Sequence, residues 1–203
     1  MTISDISKIR EYCRKDPFGA RARKESLLTA SDVSALLIYD EDTGEFTWRF
    51  KPETSAANKG FNSRYAGKPA GHPSADGYLR IKINRNLYQG SRVAWLLKTG
   101  AWPEHGVDHR DGDSRNNRWR NLRAATSVEN AHNRALSAKN TSRQTGVKFF
   151  KKIKKWGAEI MVNYRNIYLG VYERYEDAVA ARKNAEKNYF GEFAPSASRE
   201  NAA

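Results

Sequence analysis

The stretch from residue 107 to 133 restricts the possible folds more than any other part of the chain. Val107-Asp108-His109 reads as an extended segment. Arg110-Asp111-Gly112-Asp113 and Asn116-Asn117 are turn-forming residues. Asn121-Leu122-Arg123-Ala124-Ala125 returns to an extended pattern, and Thr126 followed three residues later by Glu129 is a capping box. A helix is therefore predicted from Ser127 to about Leu136. The predicted order is strand, polar loop, short strand, helix.

That order brings scattered polar residues within reach of one another. Neighbours on a strand point to opposite faces, so Asp108 and His109 make no site by themselves. Asn130 lies one turn past the Thr126 cap and is predicted to project back toward the strand. Asp108 and Asn130 would share one hard cation through their oxygens, with His109 alongside the same phosphate. Asn121 would brace the loop by bonding backbone around His109. Hydrolysis of a phosphodiester needs a group to deprotonate water and charge to stabilise the phosphate and the leaving oxygen. A neutral histidine and a cation on oxygen ligands meet those needs. The simpler alternative is that these Asp and Asn residues only build turns.

Composition points the same way. The formal net charge is +13 and the pI about 9.9, which suits a polyanionic partner. Cys13 is the only cysteine, which excludes an internal disulfide and a thiolate-rich zinc site. His105 and His109 are four apart, but Pro103 and Gly106 argue against the helix that would align them. No signal-peptide core and no membrane-length apolar stretch is present, so a cytoplasmic location and no membrane partner are expected.

Upstream, residues 1–26 are expected to be a solvated basic leader. Thr29 and Asp32 signal a helix to Tyr39, residues 45–50 alternate as a strand, and residues 51–77 look like a long loop. Residues 78–83 and 87–89 form a hairpin pattern, and Ser91 is placed to cap a helix ending before Gly100. Residues 139–145 read as a linker. Beyond it, strands at 146–150, 156–162 and 167–172 precede a helix from about Glu176 to Tyr189, with Ala178, Ala181, Ala185 and Tyr189 as its packing stripe. Residues 196–203 are a polar tail. The expected fold is α+β, with domains at 27–138 and 146–195.

Residues 27–138 resemble the HNH endonucleases, in particular phage and intron-borne homing endonucleases. The resemblance rests on Val107 to Asp113, Asn116-Asn117, Asn121-Leu122-Arg123, Thr126, Glu129-Asn130 and Asn133. It extends to Leu36-Leu37-Ile38-Tyr39, Gly44 to Trp48, Asp76 to Ile81, Arg92 to Trp95 and Trp102-Pro103. It implies a ββα-metal nuclease domain, with His109 as general base, Asn121 as the structural middle residue, and magnesium or manganese on Asp108 and Asn130. The family usually carries His-Arg where this chain has Ser91-Arg92.

Residues 142–195 resemble the Apetala-two/ethylene-response-factor DNA-binding domain. The match rests on Gly146-Val147, Trp156-x-Ala158-Glu159-Ile160, Leu169-Gly170-x-Tyr172 and Glu176-Asp177-Ala178. It implies a three-stranded antiparallel sheet lying in a DNA major groove, with one packed helix. Met161 stands where a basic residue is usual. Arg92, Arg110, Arg123, Lys148, Lys152, Lys154, Lys155, Trp156, Arg165 and Tyr168 are the expected DNA contacts. The expected partner is double-stranded DNA, met by a monomer with no small-molecule substrate. Two other readings remain open: a non-catalytic DNA-binding regulator that keeps a decayed HNH fold, and a basic structural or RNA-binding protein.

Overall fold

The computed structural model describes residues 17–132 and 140–195. It is a mixed helix-and-sheet protein that divides into two compact units. The first comprises residues up to Val107 together with Ser114–Leu122, and the second Asp108–Asp113 together with Arg123 onward. This division differs from the expected boundary at 139–145, because Asp108–Asp113 and Arg123 group with the C-terminal strands.

In the first unit, helix α1 (Pro17–Glu25) occupies part of the segment expected to be a leader. Its last residue, Glu25, is buried. Helix α2 (Ala30–Leu36) starts at Thr29, whose capping box with Asp32 is formed as the sequence signalled. It ends three residues earlier than expected. Leu37–Tyr39 instead forms strand β1, paired antiparallel with β2 (Phe46–Trp48) in the register Leu37↔Trp48 and Tyr39↔Phe46. That register stacks Tyr39 on Phe46 with centroids 4.8 Å apart. Cross-strand aromatic packing overrides the helical propensity that continues from α2. The tight turn before β2 depends on Gly44: φ is +78°, and a Cβ there would meet the backbone of Asn117 and Arg118.

The expected loop over 51–77 contains a helix, α3 (Ala56–Tyr65), capped by Ser55. Its only buried residue is Asn62, so it lacks the apolar stripe by which helices are recognised in sequence. Asn62 replaces that stripe with hydrogen bonds to both backbone groups of Lys51. Strands β3 (His72–Pro73), β4 (Leu79–Ile83) and β5 (Asn86–Gln89) form a three-stranded antiparallel sheet, followed by helix α4 (Gly90–Thr99). Ser91 does not cap α4. The cap residue is Gln89, without a side-chain bond, and the Ser91 Oγ is buried with no hydrogen-bond partner among the described residues. Phe46, Leu37, Ile81, Ile83, Val93 and Leu96 form the centre of this core.

Strands β6 (Gly106–His109) and β7 (Leu122–Ala125) make a two-stranded sheet, with a single 3-10 turn at Trp119–Asn121 leading into β7. Helix α5 (Ser127–His132) follows. The remainder of its expected length, to Leu136, lies outside the described residues.

The second unit contains β8 (Val147–Phe150), β9 (Lys155–Val162) and β10 (Arg165–Tyr172) in one antiparallel sheet of order β10-β9-β8. The β9–β10 turn places Asn163 and Tyr164 at φ 48° and 63°. Two-residue hairpins favour positive φ at both positions, which suits Asn and strains Tyr. Helix α6 (Tyr175–Phe190) packs on the sheet through a core of Val147, Ala158 and Ala178 with Trp156, Leu169 and Tyr172 around it. Of the expected stripe, Ala178 and Ala185 are buried, while Tyr189 is 51% exposed. Arg182 and Glu186 fill the inner face instead, joined by a 2.8 Å ion pair, and Arg182 Nη1 donates to the Glu159 carbonyl at 2.6 Å.

Candidate active site

Asp108 and His109 end β6, and both are buried, at 5% and 4% exposure. The turn after them is closed by the Gly112 amide donating to the His109 carbonyl at 2.9 Å. Asp111 then accepts the Asp113 amide at 2.8 Å. A base that takes a proton from water needs access to that water, and no local signal around His109 indicates that the ring is so enclosed.

Asp108 is held by Arg123 on β7. Arg123 Nε and Nη2 both donate to Asp108 Oδ2, at 2.9 and 2.6 Å. Arg123 is only 4% exposed. Arg123 Nη1 donates to the carbonyl of Glu192, and the guanidinium lies 4.1 Å from the ring centroid of Phe193. Both residues belong to the 3-10 turn Gly191–Phe193 that follows α6. The Glu192 carboxylate pairs with Arg110 at 3.2 Å. Nothing in the sequence near Arg123 indicates that a residue about 70 positions later completes its shell.

The helix after β7 starts as the sequence signalled. The Thr126 amide donates to Glu129 Oε2 at 2.7 Å, and the Glu129 amide to Thr126 Oγ1 at 3.3 Å. Asn130 sits on this short helix, half-buried, with its amide bonded to the Thr126 carbonyl. Asn121 is buried, and its Nδ2 donates to the Asn116 carbonyl at 2.8 Å, bracing the loop at a point five residues before it.

Side-chain chemistry that suits a hard divalent cation is present at two of the expected positions. Asp108 and Asn130 carry hard oxygen donors. Among the described residues, no group of three or more His, Cys, Asp or Glu is placed to hold a metal.

Three arginines expected to touch DNA turn out to be engaged within the protein. Arg92 is buried against Glu25, Arg123 against Asp108, and Arg110 pairs with Glu192. Arginine supplies a planar fork that matches a carboxylate, and at Arg92 and Arg123 that carboxylate is buried. Trp156 is likewise part of the core, packed on Tyr175 and Phe149 at 4.8 and 5.0 Å. Lys148 and Lys155 form exposed pairs with Glu159 and Glu173. Lys152, Lys154 and Arg165 are exposed, as is Tyr168 at 61%. Register places Tyr168 opposite Glu159 and Lys148 opposite Gly157, on the sheet face away from Ala158 and Ile160. A Cβ at Gly157 would collide with the Phe150 ring, which lies across the strand on that face.

A cavity of about 540 Å³ opens within the second unit beside α5, lined in part by Ser127, Val128, Met161, Tyr164, Asn166 and Arg182. Asp108 and His109 do not line it. No helix among the described residues is long and apolar enough to cross a membrane.

No curated protein and no solved structure matches the chain. Residues 88–132, which take in Asp108, His109, Asn121, Arg123 and Asn130, match the model of a family described as HNH endonuclease, and this stretch supports a nuclease.

Proposed function

We propose that the protein is a DNA endonuclease of the homing type that hydrolyses phosphodiester bonds in duplex DNA. The observation that carries the reading is the placement of Asp108 and His109 on β6, ahead of the capped helix α5, inside the segment that matches the HNH endonuclease model. His109 is the general base: its neutral imidazole accepts a proton from the attacking water. Asp108 and Asn130 would hold a divalent cation, and it would supply charge stabilisation to the phosphate and the leaving oxygen. Asn121 keeps the loop before β7 in shape through Asn116. The exposed Lys152, Lys154, Arg165 and Tyr168 meet the duplex, the cations at phosphates and the ring at sugar or base.

A non-catalytic DNA-binding regulator is the second reading. The near-complete burial of His109 and the unpartnered Ser91 hydroxyl favour it. Supercoiled plasmid incubated with the purified protein and magnesium separates the two. Nicked or linear product that disappears with excess chelator supports the nuclease. Binding without product in any divalent cation supports the regulator.

A further inference from the structure

Two groups of bonds meet at Arg123. One fixes Asp108: two guanidinium N–H groups converge on a single carboxylate oxygen, and both side chains are at least nine-tenths buried. The other fixes Arg123 itself, through the Glu192 carbonyl and the face of Phe193. A charged side chain buried to this degree has few other ways to satisfy its donors. The guanidinium fork is rigid, so its two anchors define the orientation of the carboxylate.

We infer that Arg123 is a positioning residue for Asp108, and that the turn Gly191–Phe193 holds Arg123 in place. The inference rests on the nuclease reading for the role of Asp108. Groups that hydrogen-bond a metal-ligating carboxylate orient it, and their loss weakens metal binding by about 10–100-fold. The C-terminal unit therefore does more than grip DNA. Its last turn completes the shell of the residue that takes the cation, so removing that turn impairs the site even with DNA in excess.

The test is manganese affinity of the full chain without DNA, read from the free-ion electron paramagnetic resonance signal. The variants are Arg123→Gln, Arg123→Lys and Phe193→Ala, with duplex affinity measured separately in chelator by fluorescence anisotropy. Arg123→Gln is expected to weaken manganese binding by about 10–100-fold. Arg123→Lys, which keeps the charge and loses the fork, is expected to recover only part of it. Phe193→Ala removes no charge and no hydrogen bond to Asp108, and is expected to weaken manganese in the same direction. It serves as the decisive variant if Arg123→Gln does not fold. Duplex affinity should stay at the parental value in every folded variant. Manganese affinity unchanged or tightened by these substitutions overturns the inference, and tightening would identify Arg123 as a competing counter-charge. Failure of the parental protein to bind manganese, or equal binding by Asp108→Ala, overturns the assignment of Asp108 and the inference with it.

Discussion

Arg92 donates Nε to Glu25 Oε1 and Nη2 to Glu25 Oε2, each at 2.7 Å, across 67 residues of sequence and with both side chains more than nine-tenths buried. The same guanidinium donates to the Pro103 carbonyl at 2.9 Å. Glu25 ends α1 and Arg92 sits in the first turn of α4, so the pair ties the two helices. Glu25→Ala would leave the arginine charge buried and unmatched. Loss of one partner from a buried pair costs about 3–5 kcal/mol. Urea denaturation should show a loss of that order, and a loss below about 1 kcal/mol would mean that water reaches the pair.

Ser91 makes the opposite prediction. Its hydroxyl is buried with no partner among the described residues, and a hydroxyl so placed costs about 1–3 kcal/mol relative to an apolar group. Ser91→Ala should leave stability unchanged or raise it by up to about 2 kcal/mol in the same titration. A clear destabilisation would show that the hydroxyl has a bonding partner in solution.

The capping box of α2 carries a pH signature. Thr29 donates its hydroxyl and its amide to the Asp32 carboxylate, at 2.7 and 2.9 Å, which holds the Asp32 pKa below its ordinary 3.8. The carboxylate form is thus favoured by folding. Its contribution is present above the ordinary value and is lost as pH falls through the lowered one. Thermal melts of parental protein and Asp32→Asn should differ at neutral pH and converge in acid. A difference that persists undiminished below the lowered value would contradict the assignment.

Salt dependence distinguishes the lysines. Each phosphate neutralised contributes a slope of about −0.9 in the logarithm of affinity against salt. Lys152→Ala and Lys154→Ala should each flatten the slope by up to that amount, because both side chains are exposed. Lys148→Ala should flatten it less, since Glu159 lies 3.0 Å from its ammonium and shares its charge. Anisotropy titrations at four salt concentrations measure this, and equal effects at all three positions would contradict it.

Local signals were legible in the sequence. Thr29 with Asp32 signalled a helix start and Thr126 with Glu129 a capping box, because such signals are complete within four residues. Strands β8, β9 and β10 were placed to within a residue or two. Long-range pairing was hidden. Arg92 and Arg123 look in the sequence like any basic residue near a phosphate-binding site, and only the fold supplies Glu25, Glu192 and Phe193 as their partners. Helix α3 was missed because a buried asparagine, bonded to the backbone of Lys51, replaces the apolar stripe. Tyr189 was misassigned because its position on α6 fits a packing stripe whose inner face is in fact taken by Arg182 and Glu186.

The account stands or falls on His109. His109→Ala should reduce the rate of plasmid cleavage in magnesium by a factor on the order of 10²–10⁴, the contribution of a general base. Duplex affinity in chelator should remain at the parental value, since the ring is assigned to water and not to the duplex. The parental rate should also fall on the acid side, where the imidazolium has no lone pair to accept a proton, and the variant's residual rate should lose that dependence. The decisive measurement is the single-turnover cleavage rate of parental and His109→Ala protein on one supercoiled substrate across pH. A large loss with binding intact is the predicted result. Equal rates across the pH range would contradict the mechanism.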